Sequence, residues 1–343
     1  MSVSWQGTRP RQTVASAAVH TRVLGKTGRN VSEIGFGAWQ IGADWGEVAE
    51  EQAIATLHAA VDAGVTFFDT ADVYGDGRSE RLVGRLARER PEVTVATKMG
   101  RRLEQTVENY SPQHFREWND RSRENLGVET LDLVQLHCPP TDLYYHPEVF
   151  ADLDAMVDEG RTAAYGVSVE RVEEALKAIE YPNVATVQII FNPFRQRPAG
   201  VFFAEAARRG VGVIVRVPLA SGLLSGRYTR ATTFAADDHR TFNRRGEQFD
   251  VGETFAGVPF EVGLDAVEEL RPLVPPDATL AQLSLRWILM HDAVSTVIPG
   301  ARSPEQARAN AAAAALPALG EDAMAGIAEI YAERIAPHVH QRW

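Results

Sequence analysis

Asp69 ends the run Phe67-Phe68-Asp69, Lys98 ends Ala96-Thr97-Lys98, His137 ends Gln135-Leu136-His137, and Tyr74 follows Asp69 by five residues. A carboxylate, an ammonium, an imidazole and a phenol brought into one pocket make an acid catalyst. A free phenol has a pKa of about 10, too high to release its proton readily at neutral pH, and an adjacent ammonium lowers it by favouring the phenolate. Lys98 can supply that charge. Asp69 can pair with Lys98 and keep it protonated, and His137 can hydrogen-bond a carbonyl oxygen or tune the proton transfer. Taken singly, each residue is ordinary: a lysine at the end of an apolar run is usually solvated or paired, and Tyr74-Gly75 reads equally well as a turn. Their joint occurrence at the same end of three successive runs gives the chemistry its weight.

Those runs are strands in a regular alternation. Short, continuous apolar stretches fall at 34–38, 66–69, 93–97, 131–136, 163–167, 185–189, 212–217 and 295–298. Helical stretches fall at 50–63, 79–90, 112–126, 147–159, 171–179, 199–209, 280–290 and 303–314. Strands that do not alternate polar with apolar are buried on both faces, and eight βα units of this kind predict a (β/α)8 TIM barrel. Residues 21–33 read as an N-terminal hairpin that plugs one end, and residues 319–335 as an extra C-terminal helix. Gly25-Lys26-Thr27 is not a phosphate-binding loop, because His20 stands where the first glycine of that motif belongs. The expected organisation is a flexible tail over 1–20 and a single barrel domain over 21–343. One stretch, from about 219 to 260, breaks the rhythm and sits after the seventh strand. It is expected as a functional loop at the C-terminal face, where barrel active sites are built.

Composition narrows the partners. Apolar residues make up 45% of the chain and charged ones 24%, enough to bury a core without staples. A formal charge of −11 repels phosphate backbones and anionic lipid, so neither nucleic acid nor membrane is expected. Cys138 is the only cysteine, which excludes an internal disulfide and a cysteine zinc site and fits a cytoplasmic protein without a metal. The absence of a long apolar run agrees.

The segment Phe68-Asp69-Thr70-Ala71-Asp72-Val73-Tyr74-Gly75, with Thr97-Lys98 and Leu136-His137, resembles the catalytic motifs of the aldo-keto reductases. The resemblance continues in the same order through Gly166-Val167-Ser168, Val187-Gln188, 218–226 and 298–306, and spans roughly residues 22–332. It implies NADPH-dependent reduction of an aldehyde or ketone, with Asp69, Tyr74, Lys98 and His137 as the catalytic tetrad. It also implies that Ser168 and Gln188 hold the nicotinamide carboxamide, that the 219–226 loop, with Leu219, Ser221, Gly222, Leu224 and Gly226, lies along the pyrophosphate, and that Pro218 is cofactor-binding. Arg302 would then face the 2′-phosphate of the adenosine ribose, Gln306 and Asn310 the adenine, and Gly300 would also be cofactor-binding. A helix opening at Ser303-Pro304 suits a phosphate on physical grounds as well, although Ser303 and Gln306 also match a capping box.

Two positions depart from the family. Val169 stands where an asparagine is common, and Arg216 stands where many members have a tyrosine stacked on the nicotinamide, as in some bacterial branches. Arg216 therefore remains a cofactor-side residue of remodelled chemistry. Trp39 and Phe191 are expected in the substrate pocket, with Trp45, Tyr110 and Trp118 as further aromatic candidates. The substrate class beyond a small-molecule carbonyl is not readable. Two alternatives stand beside the reductase: an NADPH-binding, redox-sensing regulatory subunit with slow turnover, and a barrel lyase that uses Tyr74 and Lys98 without nicotinamide.

Overall fold

A parallel strand covered by a helix on one side and by the barrel interior on the other has no solvent face, and this chain's short β-branched and aromatic runs take that role. The computed structural model describes residues 20–42 and 48–343. Trp45 and nearly all of the expected 1–20 tail lie outside the described residues. A hairpin comes first, β1 (Thr21–Val23) pairing antiparallel with β2 (Asn30–Ser32). The barrel strands follow as β3 (Phe36–Gly37), β4 (Phe67–Asp69), β5 (Thr94–Met99), β6 (Leu133–His137), β7 (Tyr165–Ser168), β8 (Val184–Ile190), β9 (Gly212–Arg216) and β10 (Val294–Val297). Each pairs in parallel with its neighbour in sequence. The ring closes where Ile34 meets Val297 and Gly37 meets Gly300. All eight strands lie where the apolar runs predict them.

The helices are α1 (Trp39–Gly42), α2 (Glu50–Asp62), α3 (Arg78–Glu89), α4 (Pro112–Leu126), α5 (Pro147–Asp158), α6 (Val172–Ala178), α7 (Val201–Arg208), α8 (His239–Phe242), α9 (Phe260–Leu270), α10 (Leu280–Leu289), α11 (Pro304–Ala311), α12 (Glu321–Ile330) and α13 (Ala336–Val339). Each of the eight expected helices is present. Helix α9 is an addition: one helix per strand calls for only one between β9 and β10, yet the short α8 and the longer α9 precede α10 there. Phe260, Leu264, Val267 and Leu270 supply its buried stripe. The extra C-terminal helix begins as α12, passes through a π turn at Tyr331–Ile335 and ends as α13. Among the described residues, no helix is long and apolar enough to cross a membrane.

Side chains two apart on a strand share a face, so each barrel strand carries one inward column. At the hairpin end, Phe67, Ala96, Leu133, Ile214 and Ile298 pack with Leu24 and Val31 of the plug in a small apolar cluster. Two residues further on, the same columns carry Asp69, Lys98, Gln135 and Arg216. The interior is thus sealed and apolar at one end and polar at the other. A larger core fills the layer between strands and helices.

Candidate active site

The polar end of the columns builds the floor of the site. Lys98 Nζ pairs with Asp69, donates to Thr70 O at 2.9 Å and lies 3.5 Å from Tyr74 Oη. The second Asp69 oxygen accepts from Gln188 Nε2 at 2.7 Å and Gln135 Nε2 at 3.2 Å. Both ion-pair side chains are almost wholly buried, at 1% and 3% exposure. Burial alone would lower the Lys98 pKa, but Asp69 and then Tyr74 outweigh it and hold the ammonium above its ordinary value. The Tyr74 phenol moves up: burial dominates, against the opposing pull of Lys98. His137 is held well below the usual imidazole range by burial and by the Arg101, Lys98 and Arg216 cations, so it is neutral at neutral pH. Its ring meets Tyr74 edge-on at 5.8 Å, while Trp39 stacks on the other side of the phenol at 5.9 Å.

Beside this floor lies a buried ion cluster. Arg216 reaches Glu170 at 2.9 Å and Glu253 at 3.8 Å, and Arg101 reaches Glu253 at 2.8 Å and Glu170 at 3.6 Å. Arg101 Nε also donates to His137 O at 3.2 Å, tying the cluster to the polar floor. Burial pushes Glu170 up to about 8, whereas Arg101 and Arg216 overcome burial and hold Glu253 at about 2. The two carboxylates are thus set apart, Glu253 ionising far more readily than Glu170. Nothing in the sequence singles out Arg101, Glu170 or Glu253. They come from three separate loops, and no fixed spacing links them.

A cavity of about 450 Å³ runs from Tyr74 and His137 past Arg216 to Arg302 and Asn310. Its middle wall is the turn after β9. There Val217, Ala220 and Ser221 have left-handed φ values of 51°, 46° and 52°, followed by Gly222 at 94°. The turn is tight: the Ala220 and Gly222 N–H groups donate within it to Val217 O and Leu219 O, and Ser221 and Gly222 come to the cavity wall. Non-glycine residues held there are strained, by about 1–3 kcal/mol each, which is typical of ligand-binding turns. Arg227 and Arg240 line the same stretch, and Arg302 stands at the far end. An elongated cavity with arginines along it fits a phosphorylated dinucleotide.

Comparison with known proteins decides the family. The sequence profile of the aldo/keto reductase family matches residues 33–332. The chain belongs to the aldo/keto reductase family. It is 30% identical over 294 residues to aldo-keto reductase YhdN of Bacillus subtilis, covering 83% of this chain and 86% of that protein. It is 29% identical to a probable voltage-gated potassium channel subunit beta of Arabidopsis thaliana, covering 84% and 88%. The holo form of aldo-keto reductase AKR11C1 from Bacillus halodurans superposes with a TM-score of 0.73 at 27% identity, covering 91% and 96%. Aldo-keto reductases of this kind are NAD(P)H-dependent oxidoreductases, and so is this protein.

The positions expected from the aldo-keto reductase motifs can now be located. Asp69, Tyr74, His137, Gln188, Arg216, Pro218, Leu219, Ser221, Gly222, Gly300, Arg302, Gln306, Asn310 and Trp39 line the cavity. Lys98 lies just beneath it. Ser303 accepts from Gln306 N at 3.3 Å, and the Gln306 side chain accepts from Arg302 N at 2.8 Å, so the helix is capped while its first turn faces the cavity. Six further expected positions do not line the cavity. Phe191 is not a pocket residue: it is fully buried in the outer layer, 4.8 Å from both Phe203 and Trp287. Ser168 is also fully buried. Its hydroxyl lies 3.5 Å from Cys138 Sγ, and the Arg216 guanidinium occupies the cavity side, donating to Val169 O at 3.0 Å. Leu224 is core, and Gly226 ends the turn in a left-handed conformation. Both shape the turn after β9 without lining the cavity. Tyr110 and Trp118 pack against Phe115 of α4 and do not line the cavity either.

Proposed function

We propose that this enzyme reduces an aldehyde or ketone to the alcohol with NADPH, and that Tyr74 is the proton donor. The reading is carried by one observation: the ion pair Asp69–Lys98 ends 3.5 Å from Tyr74 Oη, at a cavity wall that also presents a neutral His137. The bound cofactor supplies the hydride to the carbonyl carbon. Tyr74 gives its proton to the carbonyl oxygen, and the phenolate it leaves is stabilised by Lys98, which Asp69 keeps charged and aimed. A neutral His137 donates one N–H to the same oxygen without competing as an acid. Trp39, stacked on Tyr74, excludes water from that side.

The same reading assigns the rest of the groove. Gln188 holds the nicotinamide carboxamide, and Arg216 lies beside the ring, its charge balanced by Glu170 and Glu253. The turn at 217–222 takes the pyrophosphate with Arg227. Arg302 takes the 2′-phosphate, and Gln306 and Asn310 the adenine. Residues 21–343 act as one barrel domain. The deciding experiment is Tyr74→Phe. Aldehyde reduction should fall by about 10²-fold or more, the scale of a lost general acid, while NADPH binding, followed by its fluorescence, stays within about twofold. Retained turnover would remove Tyr74 from the acid role. The likeness to the plant channel subunit favours a second reading, a slow redox sensor. Multiple rapid turnovers with prompt NADP⁺ release would count against it, and a single turnover with retained NADP⁺ would favour it.

A further inference from the structure

The Trp343 ring is buried far from the barrel mouth in sequence, yet it packs against the segment that closes the mouth. Trp343 is 4% exposed. Its Nε1 donates to Asp250 Oδ1 at 2.9 Å, and the Arg195 guanidinium lies over the ring at 3.8 Å. Two glycines make the slot: a Cβ on Gly252 would come within 3.0 Å of the indole, and one on Gly257 within 2.5 Å. Arg195 itself is 2% exposed, and its guanidinium has no hydrogen-bond acceptor among the described residues. Its close neighbour is the indole face, an arrangement whose attraction is greatest when desolvated.

The gripped segment runs from Asp250 to Gly257 and carries Glu253. It has little cohesion of its own: two short 3-10 turns, with Phe255 and Ala256 in left-handed conformations. Its inner side nevertheless holds two parts of the cavity. The Glu253 carboxylate meets Arg101, which in turn holds His137 O. Ser221 Oγ donates to Glu253 O at 3.1 Å and accepts from Phe255 N at 3.1 Å. A strained, weakly paired segment stays in place only where surrounding structure over-determines it. Trp343 is that support on the outer side.

We propose that Trp343 is a positioning residue for carbonyl reduction: docked between Gly252 and Gly257, it holds the 250–257 segment so that Glu253 stays over Arg101 and the reacting end of the cavity is complete. The proposal rests on the reading that Tyr74 and His137 mark that end.

The test uses the full chain as wild type, Trp343→Ala and Trp343→Phe, with NADPH and 4-nitrobenzaldehyde as probe. In Trp343→Ala, amide exchange over 250–257 should quicken at least about tenfold and kcat/KM should fall about tenfold. Trp343→Phe keeps the stack on Arg195 but loses the bond to Asp250, and should show an intermediate effect of about threefold on both. Combined with Glu253→Gln, the Trp343→Ala loss should shrink to within about twofold, because the two changes act through one contact. Unchanged exchange overturns the proposal. Faster exchange with kcat/KM within about twofold of wild type, or an undiminished loss in the Glu253→Gln background, does so as well. If Trp343→Ala unfolds, seen as fast exchange across all segments, Trp343→Phe decides: about threefold effects on both readouts support the proposal, and none overturns it. A wild type that fails to reduce the aldehyde sinks this proposal together with the reductase reading, whereas an active wild type beside an unaffected Trp343→Ala sinks this one alone.

Discussion

A phenol beside a buried ammonium is pulled two ways. Lys98 draws the Tyr74 pKa down, burial drives it up, and burial prevails. The sequence points to the opposite sign, because a Lys–Tyr pair on neighbouring strand ends can be read from motifs while the depth at which it sits cannot. A raised phenol suits a proton donor, since it holds its proton through the neutral range and surrenders it only to a developing alkoxide. The Glu170–Glu253 pair carries a residue-scale prediction. Glu170 ionises at about 8 in the fold against an ordinary value of 4.5. The unfolded chain therefore loses this proton first, and folding takes one up between those values. From this group stability should fall as pH rises across that window and level off above it. In Glu170→Gln the fall should be smaller, as urea midpoints at pH 5, 7 and 9 would register; parallel curves for the two proteins would contradict the assignment. None of this pair was readable beforehand. Glu170 follows β7 and Glu253 lies in the irregular stretch, and only their meeting around Arg216 and Arg101 gives them meaning.

Strands and helices follow from local pattern because each barrel strand is buried on both faces and each helix on one, so hydrophobic period maps directly onto element type. The polar floor of the cavity was readable for the same reason: Asp69, Lys98 and His137 end adjacent parallel strands. Where side chains point was less so. Phe191 follows β8 and looks like a mouth residue, yet it turns outward to Phe203, Trp287 and His291. Phe191→Ala should accordingly act on the fold, at a cost of about 3–5 kcal/mol for a large core aromatic, with kcat/KM per folded molecule within about twofold of wild type. Chemical denaturation beside steady-state kinetics would separate these, and a selective rise in KM for the carbonyl would restore Phe191 to the pocket. Helix α9 escaped notice because the βα rhythm asks for one helix between β9 and β10, although its apolar spacing was present.

At the scale of the whole molecule, a chain of charge −11 draws a polyanionic cofactor only through local cations. Arg227, Arg240 and Arg302 are set along the cavity in that way. Arg302→Ala should raise the NADPH dissociation constant about tenfold to hundredfold, the equivalent of about 1.5–3 kcal/mol for a hydrogen bond to a charged group, and leave NADH within about twofold. Equal losses for the two nucleotides would take Arg302 off the 2′-phosphate. By itself the sequence determined the eightfold alternation, the polar strand ends and the family, all of which are written in short windows or in motifs repeated at the same end of successive strands. Tertiary structure alone decided what closes over those strand ends. Arg101 meets Glu253 across 152 residues and Trp343 meets Asp250 across 93. No local period encodes such pairings, because which loops come together depends on how the closed barrel brings their ends to one face.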